Sequence, residues 1–249
     1  ILMFAAFAVL FYRNLRYRRY LVGYKRGKYN FTDILSLNKM GWMVGLQMGL
    51  ETALFSITGI MIGWLGSIAL AAHQVMVAIS TLGFMIYYGV GAAVSVRVSN
   101  YFGRQDLLHV RRTTMAGFHL ILCLAVCACT VFLFSRELIG YLFTTSEEVI
   151  RVVSTLVYIL LAYQFGDALQ ITYANSLRGI GDVISMAVIS FIGYFLIAMP
   201  VCYICGFVLE WGITGIWIGY PIGLTLTGVM LCGRYYWKLK TKTQSTEFY

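Results

Sequence analysis

The chain has 249 residues, 12% charged and 60% apolar, with a mean hydropathy of +0.78. Soluble domains carry about 25% charged and about 45–50% apolar residues, so an ordinary water-exposed fold is excluded. Disordered, collagen-like and coiled-coil chains need other biases than 25 Gly, 2 Pro and 18 Tyr, whereas six membrane spans of about 20 residues fit the length.

Gaps in the charge pattern predict the spans. Residues 1–12 are apolar but too short to cross, and read as the end of a preceding transmembrane helix. The chain begins Ile-Leu-Met-Phe in the middle of that segment, so it reads as a fragment. Residues 13–39 form a basic connector, with eight Lys or Arg against Asp33. A membrane lobe follows over 40–235, with spans at 41–64, 69–96, 113–134, 152–174, 183–208 and 212–233. Residues 236–249 are a tail. Between Glu51 and Arg97, 45 residues pass without Asp, Glu, Lys or Arg, the pattern of a membrane hairpin. The alternation of a membrane barrel is missing, so the spans are helices. The expected fold class is an all-α integral membrane bundle of six transmembrane helices.

Orientation follows from the basic residues. With the connector on the cytoplasmic side, six crossings bring 97–112, 175–182 and the carboxyl-terminal tail to that side too. Of the 19 Lys and Arg, only Arg136 and Arg151 fall outside, a strong positive-inside asymmetry. The net charge of +9 is thus a topology signal and implies no nucleic acid. Glycine ladders at four-residue spacing, Gly41/Gly45/Gly49 and Gly215/Gly219/Gly223, predict close helix packing. Pro200 and Pro221 inside spans predict local kinks. The six Cys lie in apolar stretches and read as filler.

Two acids stand alone within spans: Glu51 and Asp167. A carboxylate at mid-bilayer costs on the order of 3 kcal/mol, so it persists where it pairs or lines a wet cavity. Glu51 lies 12 residues from Lys39, and Asp167 lies 11 from Arg178. At about 1.5 Å per residue both stand roughly 16–18 Å from the cytoplasmic charges, at matched depth near the midplane. Helical spacing stacks Gln47, Glu51, Phe55 and Thr58 on one stripe, and Tyr163 or Gln164, Asp167 and Gln170 on another. Carboxylate and amide oxygens are suitable Na⁺ ligands, and Phe55 offers an aromatic face to an organic cation. The coupling ion is Na⁺ or H⁺; beyond a possible Na⁺ at Glu51 and Asp167 no metal is expected, and no cofactor. His73 and Gln74 are secondary candidates near the outer end of the second span. His109 and His119 show no partner pattern. No metalloprotease, serine-hydrolase, P-loop or dinucleotide motif occurs.

The stretch GLQMGLETALFSITGIMIGWLGSIALAAHQVMVAISTLGFMIYYGVGAAVSVRVSNYFGRQD (45–106) resembles the seventh and eighth helices of multidrug and toxic compound extrusion (MATE) transporters of the NorM-like branch. YQFGDALQITYANSLRGIGD (163–182) resembles their tenth helix and its loop, and GITGIWIGYPIGL (212–224) the twelfth. The resemblance covers residues 40–235. It implies a twelve-helix transporter of two six-helix lobes, this chain being the carboxyl-terminal lobe with the amino-terminal lobe missing. It also implies antiport across the cell membrane: amphiphilic organic cations outward, Na⁺ or H⁺ inward. The cation site falls at Glu51 and Asp167, and Tyr163 and Phe55 fall at positions of cation or substrate contact. Three rivals stand beside this: a lipid-linked oligosaccharide flippase of the same superfamily, a membrane enzyme using His73 and Glu51, and a channel.

Overall fold

Within hydrocarbon there is no water to satisfy a backbone N–H or C=O, so long apolar runs close all their hydrogen bonds internally as helices. In a computed structural model, which describes residues 2–13 and 30–247, that is how every apolar run folds. The chain divides into two compact units after Gly41. The first holds α1 (Leu2–Arg13) and the opening turns of α2 (Phe31–Gly63). In the second, α2 continues and is followed by α3 (Ser67–Gly103), α4 (Leu107–Phe134), α5 (Arg136–Phe143) and α6 (Glu147–Gly179). A fifth span, Val183–Val208, and α9 (Gly212–Glu247) complete it. Six of these elements are long and apolar enough to cross a membrane.

Each expected span is present, and most are longer than the apolar window. α2 starts at Phe31, inside the stretch read as the connector, and α9 continues through most of the tail. Residues 14–29 of the connector lie outside the described residues. One helix has no counterpart in the sequence reading. α5 occupies a stretch read as loop and turns Ile139 and Gly140 inward, Gly140 against Ile150 and Ile139 into the apolar core. Leu138, Tyr141, Leu142 and Phe143 stay exposed, the habit of a helix lying at the membrane surface.

The expected kinks divide unequally. The fifth span contains α7 (Val183–Phe191), a π-helical stretch Ile192–Ala198, α8 (Met199–Tyr203) and a second π-helical stretch Ile204–Val208. Pro200 lacks an N–H and its ring crowds the carbonyl four residues back, so a wide turn before it relieves both problems. Pro221 by contrast sits inside the unbroken α9.

The ladders divide too. A Cβ at Gly223 would lie 3.2 Å from Ala198 Cα, and Gly215 and Gly219 press as closely on the backbone around Cys202 and Cys205. Gly41, Gly45 and Gly49 meet nothing within 4 Å among the described residues. The second ladder is a packing seam of this lobe; the first is not.

α6 is the centre of the second unit, contacting α3, α4 and α9. Three apolar clusters of described residues lie along it, the smallest of them, with Tyr87, Ile121, Ala125, Ala168 and Ile171, on the side facing α3 and α4 at mid-helix. One of the larger two gathers Leu54, Met76, Leu156, Leu160, Trp217 and Tyr220. The other gathers Val98, Val110, Leu177, Leu231 and Tyr235. Between them α6 carries Gln164, Asp167 and Gln170, all buried, and α2 carries buried Gln47. At mid-helix the polar residues of α6 occupy one face of it, and the smallest apolar cluster covers another.

Candidate cation and substrate site

Asp167 is wholly buried, and neither carboxylate oxygen has a hydrogen-bond partner among the described residues. The same holds for Gln170 Oε1. Gln170 donates instead, through Nε2, to the Tyr194 hydroxyl at 2.7 Å, which fixes its oxygen as a free acceptor. Glu51 accepts from Gln47 Nε2 at 3.2 Å, with Tyr194 and Gln170 also against its carboxylate. Asp167 and Glu51 act on each other electrostatically, and Tyr163 feels both. The matched depth inferred from residue counts therefore brings the two acids into one constellation.

Unpartnered acceptors in a dry interior are costly, and a cation satisfies several at once. Three oxygens, two on Asp167 and one on Gln170, lie in the neighbourhood of the Glu51 carboxylate and accept no hydrogen bond among the described residues; Gln164 Nε2 and the Tyr87 hydroxyl are likewise buried and unpartnered. This set suits a hard, oxygen-seeking ion such as Na⁺, or protons on the carboxylates. No group of three or more His, Cys, Asp or Glu poised for a transition metal occurs among the described residues.

Glu51 and Tyr163 open onto a cavity of about 260 Å³ lined also by Met48, Phe55, Phe84 and Met85. Phe55 stacks on Tyr220 with ring centroids 4.8 Å apart, and Tyr220 hydrogen-bonds Thr58. The cavity is thus aromatic and thioether-rich, with carboxylate at its inner wall. Soft polarisable walls suit varied amphiphiles.

His73 and Gln74 line a neighbouring cavity of about 480 Å³, which shares Thr52, Phe55 and Val77 with the first. His73 packs edge-on to Trp217 at 5.8 Å between ring centroids, its Nδ1 unpartnered. The structure therefore brings Glu51, Asp167, Tyr163, Phe55, Gln47 and Gln170 together and sets His73 and Gln74 next door. Gln164, the alternative on the α6 stripe, faces Gly83 of α3 instead.

Sequence reasoning missed three members of this neighbourhood. Tyr194 and Tyr220 are hydroxyl-bearing rings inside apolar spans, and a buried Tyr needs a partner for its O–H; that signal was available. Arg178 was assigned to a loop. It lies at the end of α6, and its guanidinium turns back to donate to Gln47 Oε1 at 3.4 Å, Tyr88 Oη at 3.3 Å and Asn175 Oδ1 at 3.3 Å. Gln47 therefore bridges Arg178 to Glu51. Outside the spans, His109 does have a partner: its Nδ1 is 2.7 Å from Asp106 Oδ2.

The model of the MatE family matches residues 44–204. A multidrug resistance protein NorM of Photobacterium profundum is 34% identical over 220 residues, covering 86% of this chain and 47% of its own length. The NorM of Vibrio cholerae is 33% identical over 214 residues, with 84% and 47% covered. The chain thus spans about half the length of the curated relatives it matches. Among solved structures, the eukaryotic MATE transporter AtDTX14 superposes with a TM-score of 0.77 at 20% identity, over 87% of this chain and 51% of that one. A MATE protein crystallised with MaL6 gives 0.80 at 14% identity, over 87% and 49%. At such identity these two speak for the fold alone.

Proposed function

The chain belongs to the MatE family of multidrug and toxic compound extrusion transporters, and we propose that it forms one six-helix lobe of an antiporter that exports lipophilic organic cations in exchange for Na⁺ or H⁺. The coupling ion sits at Glu51 and Asp167, with Gln170 supplying a further oxygen. Substrate occupies the cavity bounded by Phe55, Tyr163, Phe84 and the methionines. The lobe is set in the cell membrane, with the 13–39 connector and the end of α9 in the cytoplasm.

One observation carries this reading: a fully buried Asp167 with both oxygens unpartnered, beside a second carboxylate that opens onto an aromatic cavity. Nothing in the fold of the lobe needs that acid, and desolvation makes it costly. Ion occupancy offsets that cost. Binding of a cation or proton neutralises the carboxylates, and an organic cation in the adjoining cavity loses its electrostatic anchor. The two ligands compete, which is what exchange requires. One charge moving inward through 100 mV releases about 2.3 kcal/mol. Alternation between outward and inward access then needs two lobes rocking about this centre.

The flippase rival calls for free basic groups facing the cavity. Arg178 comes nearest, but Gln47, Tyr88 and Asn175 engage it, and the wall above it is acidic.

The test uses the full-length parent with Glu51→Gln and Asp167→Asn. Each amide is close in size to its acid and removes only the ionisable charge. Drug efflux driven by an imposed Na⁺ or H⁺ gradient is lost in both, with membrane insertion retained. Full gradient-driven efflux in both variants would refute the assignment. Loss in the Glu51 variant alone would reduce Asp167 to a packing residue.

A further inference from the structure

Arginines at the inner ends of the spans fall into two groups. Most are engaged. Arg234 pairs with Asp182 at 2.7 Å and lies over the Trp237 ring at 4.6 Å. Arg111 lies over Tyr236 at 5.5 Å, and Arg178 serves the site above. Arg97 of α3 and Arg112 of α4 form no hydrogen bond or ion pair among the described residues. Both instead line one cavity of about 420 Å³ between α3 and α4, well apart from the Glu51 centre.

The walls of that cavity are graded. At its inner end stand Arg97, Arg112, Thr113, Tyr101 and His109. Tyr101 and His109 stack with centroids 5.1 Å apart, and His109 is held by Asp106, whose other oxygen accepts the His109 N–H at 3.1 Å. The acid next to the cavity, Asp106, is committed as a helix cap and as the partner of His109, and Arg112 acts on it only electrostatically, without an ion-pair contact. Toward the bilayer centre the lining changes to Val90, Ala93, Ala116, Gly117 and Leu120. At the floor of the groove Gly117 is buried against Val94, and the exposed Ala93 and Ala116 leave the outer part of the groove shallow-walled. Arg97 precedes the end of α3 by six residues and Arg112 follows the start of α4 by five. At about 1.5 Å per residue both stand roughly 8–9 Å above the turn, the level at which a snorkelling guanidinium meets lipid phosphates.

We propose that this groove is a binding site for an anionic phospholipid, its phosphate held between Arg97 and Arg112 and one acyl chain lying along Ala93, Ala116 and Leu120. Two unpaired guanidiniums and a hydroxyl complement a phosphate diester, and Arg presents the forked donors that phosphate oxygens accept. A basic pocket between membrane helices at the cytoplasmic side is the usual form of such a site. The apolar continuation sets the ligand apart from a free anion, which would have no use for it. The inference rests on α3 and α4 spanning the bilayer and is independent of ion coupling.

The test is native mass spectrometry of the full-length parent in mild detergent, with equimolar phosphatidylglycerol and phosphatidylcholine of matched acyl chains. Each basic side chain contributes about fivefold near an anionic surface, so the wild type retains phosphatidylglycerol with roughly 30-fold preference. Arg97→Gln and Arg112→Gln each cut that preference about fivefold. The doubly lysine-substituted chain (R97K, R112K) keeps most of it. Leu120→Trp blocks the acyl path with charge unchanged and loses the lipid, which decides the matter even where a glutamine variant fails to fold. Equal retention of the two lipids would overturn the proposal, as would undiminished binding in Leu120→Trp. Displacement of the lipid by millimolar inorganic phosphate would reassign the groove to a soluble anion.

Discussion

Gly179 ends α6 where it crosses α3, and the crossing leaves no room for a methyl group. A Cβ there would lie 2.8 Å from the Ser95 carbonyl oxygen, 2.8 Å from Val98 Cγ1 and 3.0 Å from Val98 Cβ. One of those neighbours is backbone and cannot turn aside, so Gly179→Ala must open the crossing by about half an ångström, a gap that forfeits about a quarter of each contact's attraction. Val98 and Leu177, both wholly buried, share that loss. Overpacking of this kind costs about 1–3 kcal/mol, and a backbone clash belongs in the upper half of the range. Gly89 on the same helix as Val98 is the control, because its added Cβ meets nothing within 4 Å. Gly89 is mid-helix, so its alanine gains about 1 kcal/mol of helix propensity, whereas Gly179 is the last residue of α6 and gains less; the difference between the variants is this small term plus packing. Gly179→Ala should be about 2–3 kcal/mol less stable than Gly89→Ala, read from reversible unfolding in mixed detergent micelles. Equal stabilities would refute the account of the α3–α6 crossing.

Burial pushes the Asp182 carboxyl up, but bonds from Arg234 and Ser185 outweigh it and hold the group below its ordinary value. Its contribution to stability is therefore present above the unfolded-state value and lost as pH falls through the folded one; Asp182→Asn should flatten that acid limb in a pH series of unfolding midpoints. The buried Thr58–Tyr220 hydrogen bond should give a coupling of about 0.6 kcal/mol, and no more than about 1.7, in a double-mutant cycle of Thr58→Val and Tyr220→Phe. An impermeant thiol reagent applied to intact cells should label a Cys placed at Glu147 and miss one at Lys28 or Lys240; ready labelling at Lys28 would overturn the topology.

The architecture was legible because hydrocarbon permits few alternatives. Charge-free runs of span length become helices, and the basic residues indicate which ends share a side. The two lone acids were legible for the same reason, since counting residues from Lys39 and Arg178 already places them at one depth. What stayed hidden depends on direction. Arg178 was counted as a loop charge because its number puts it at a helix end, yet its side chain turns back toward Gln47. Tyr194 joined the site only when the fifth span was seen to face α6. α5 was missed because eight residues are too few for a periodic signal. The first glycine ladder has the spacing of the second, but nothing lies opposite it among the described residues, and spacing alone does not say where a partner helix lies.

The most direct test of ion coupling is a binding competition in the purified full-length parent. A fluorescent lipophilic cation is titrated at fixed and then rising Na⁺, and again at falling pH. The account predicts that its affinity drops as the coupling ion fills the Glu51–Asp167 centre, and that Asp167→Asn makes it indifferent to that ion. An unchanged ion dependence in Asp167→Asn and in Glu51→Gln would contradict the central claim.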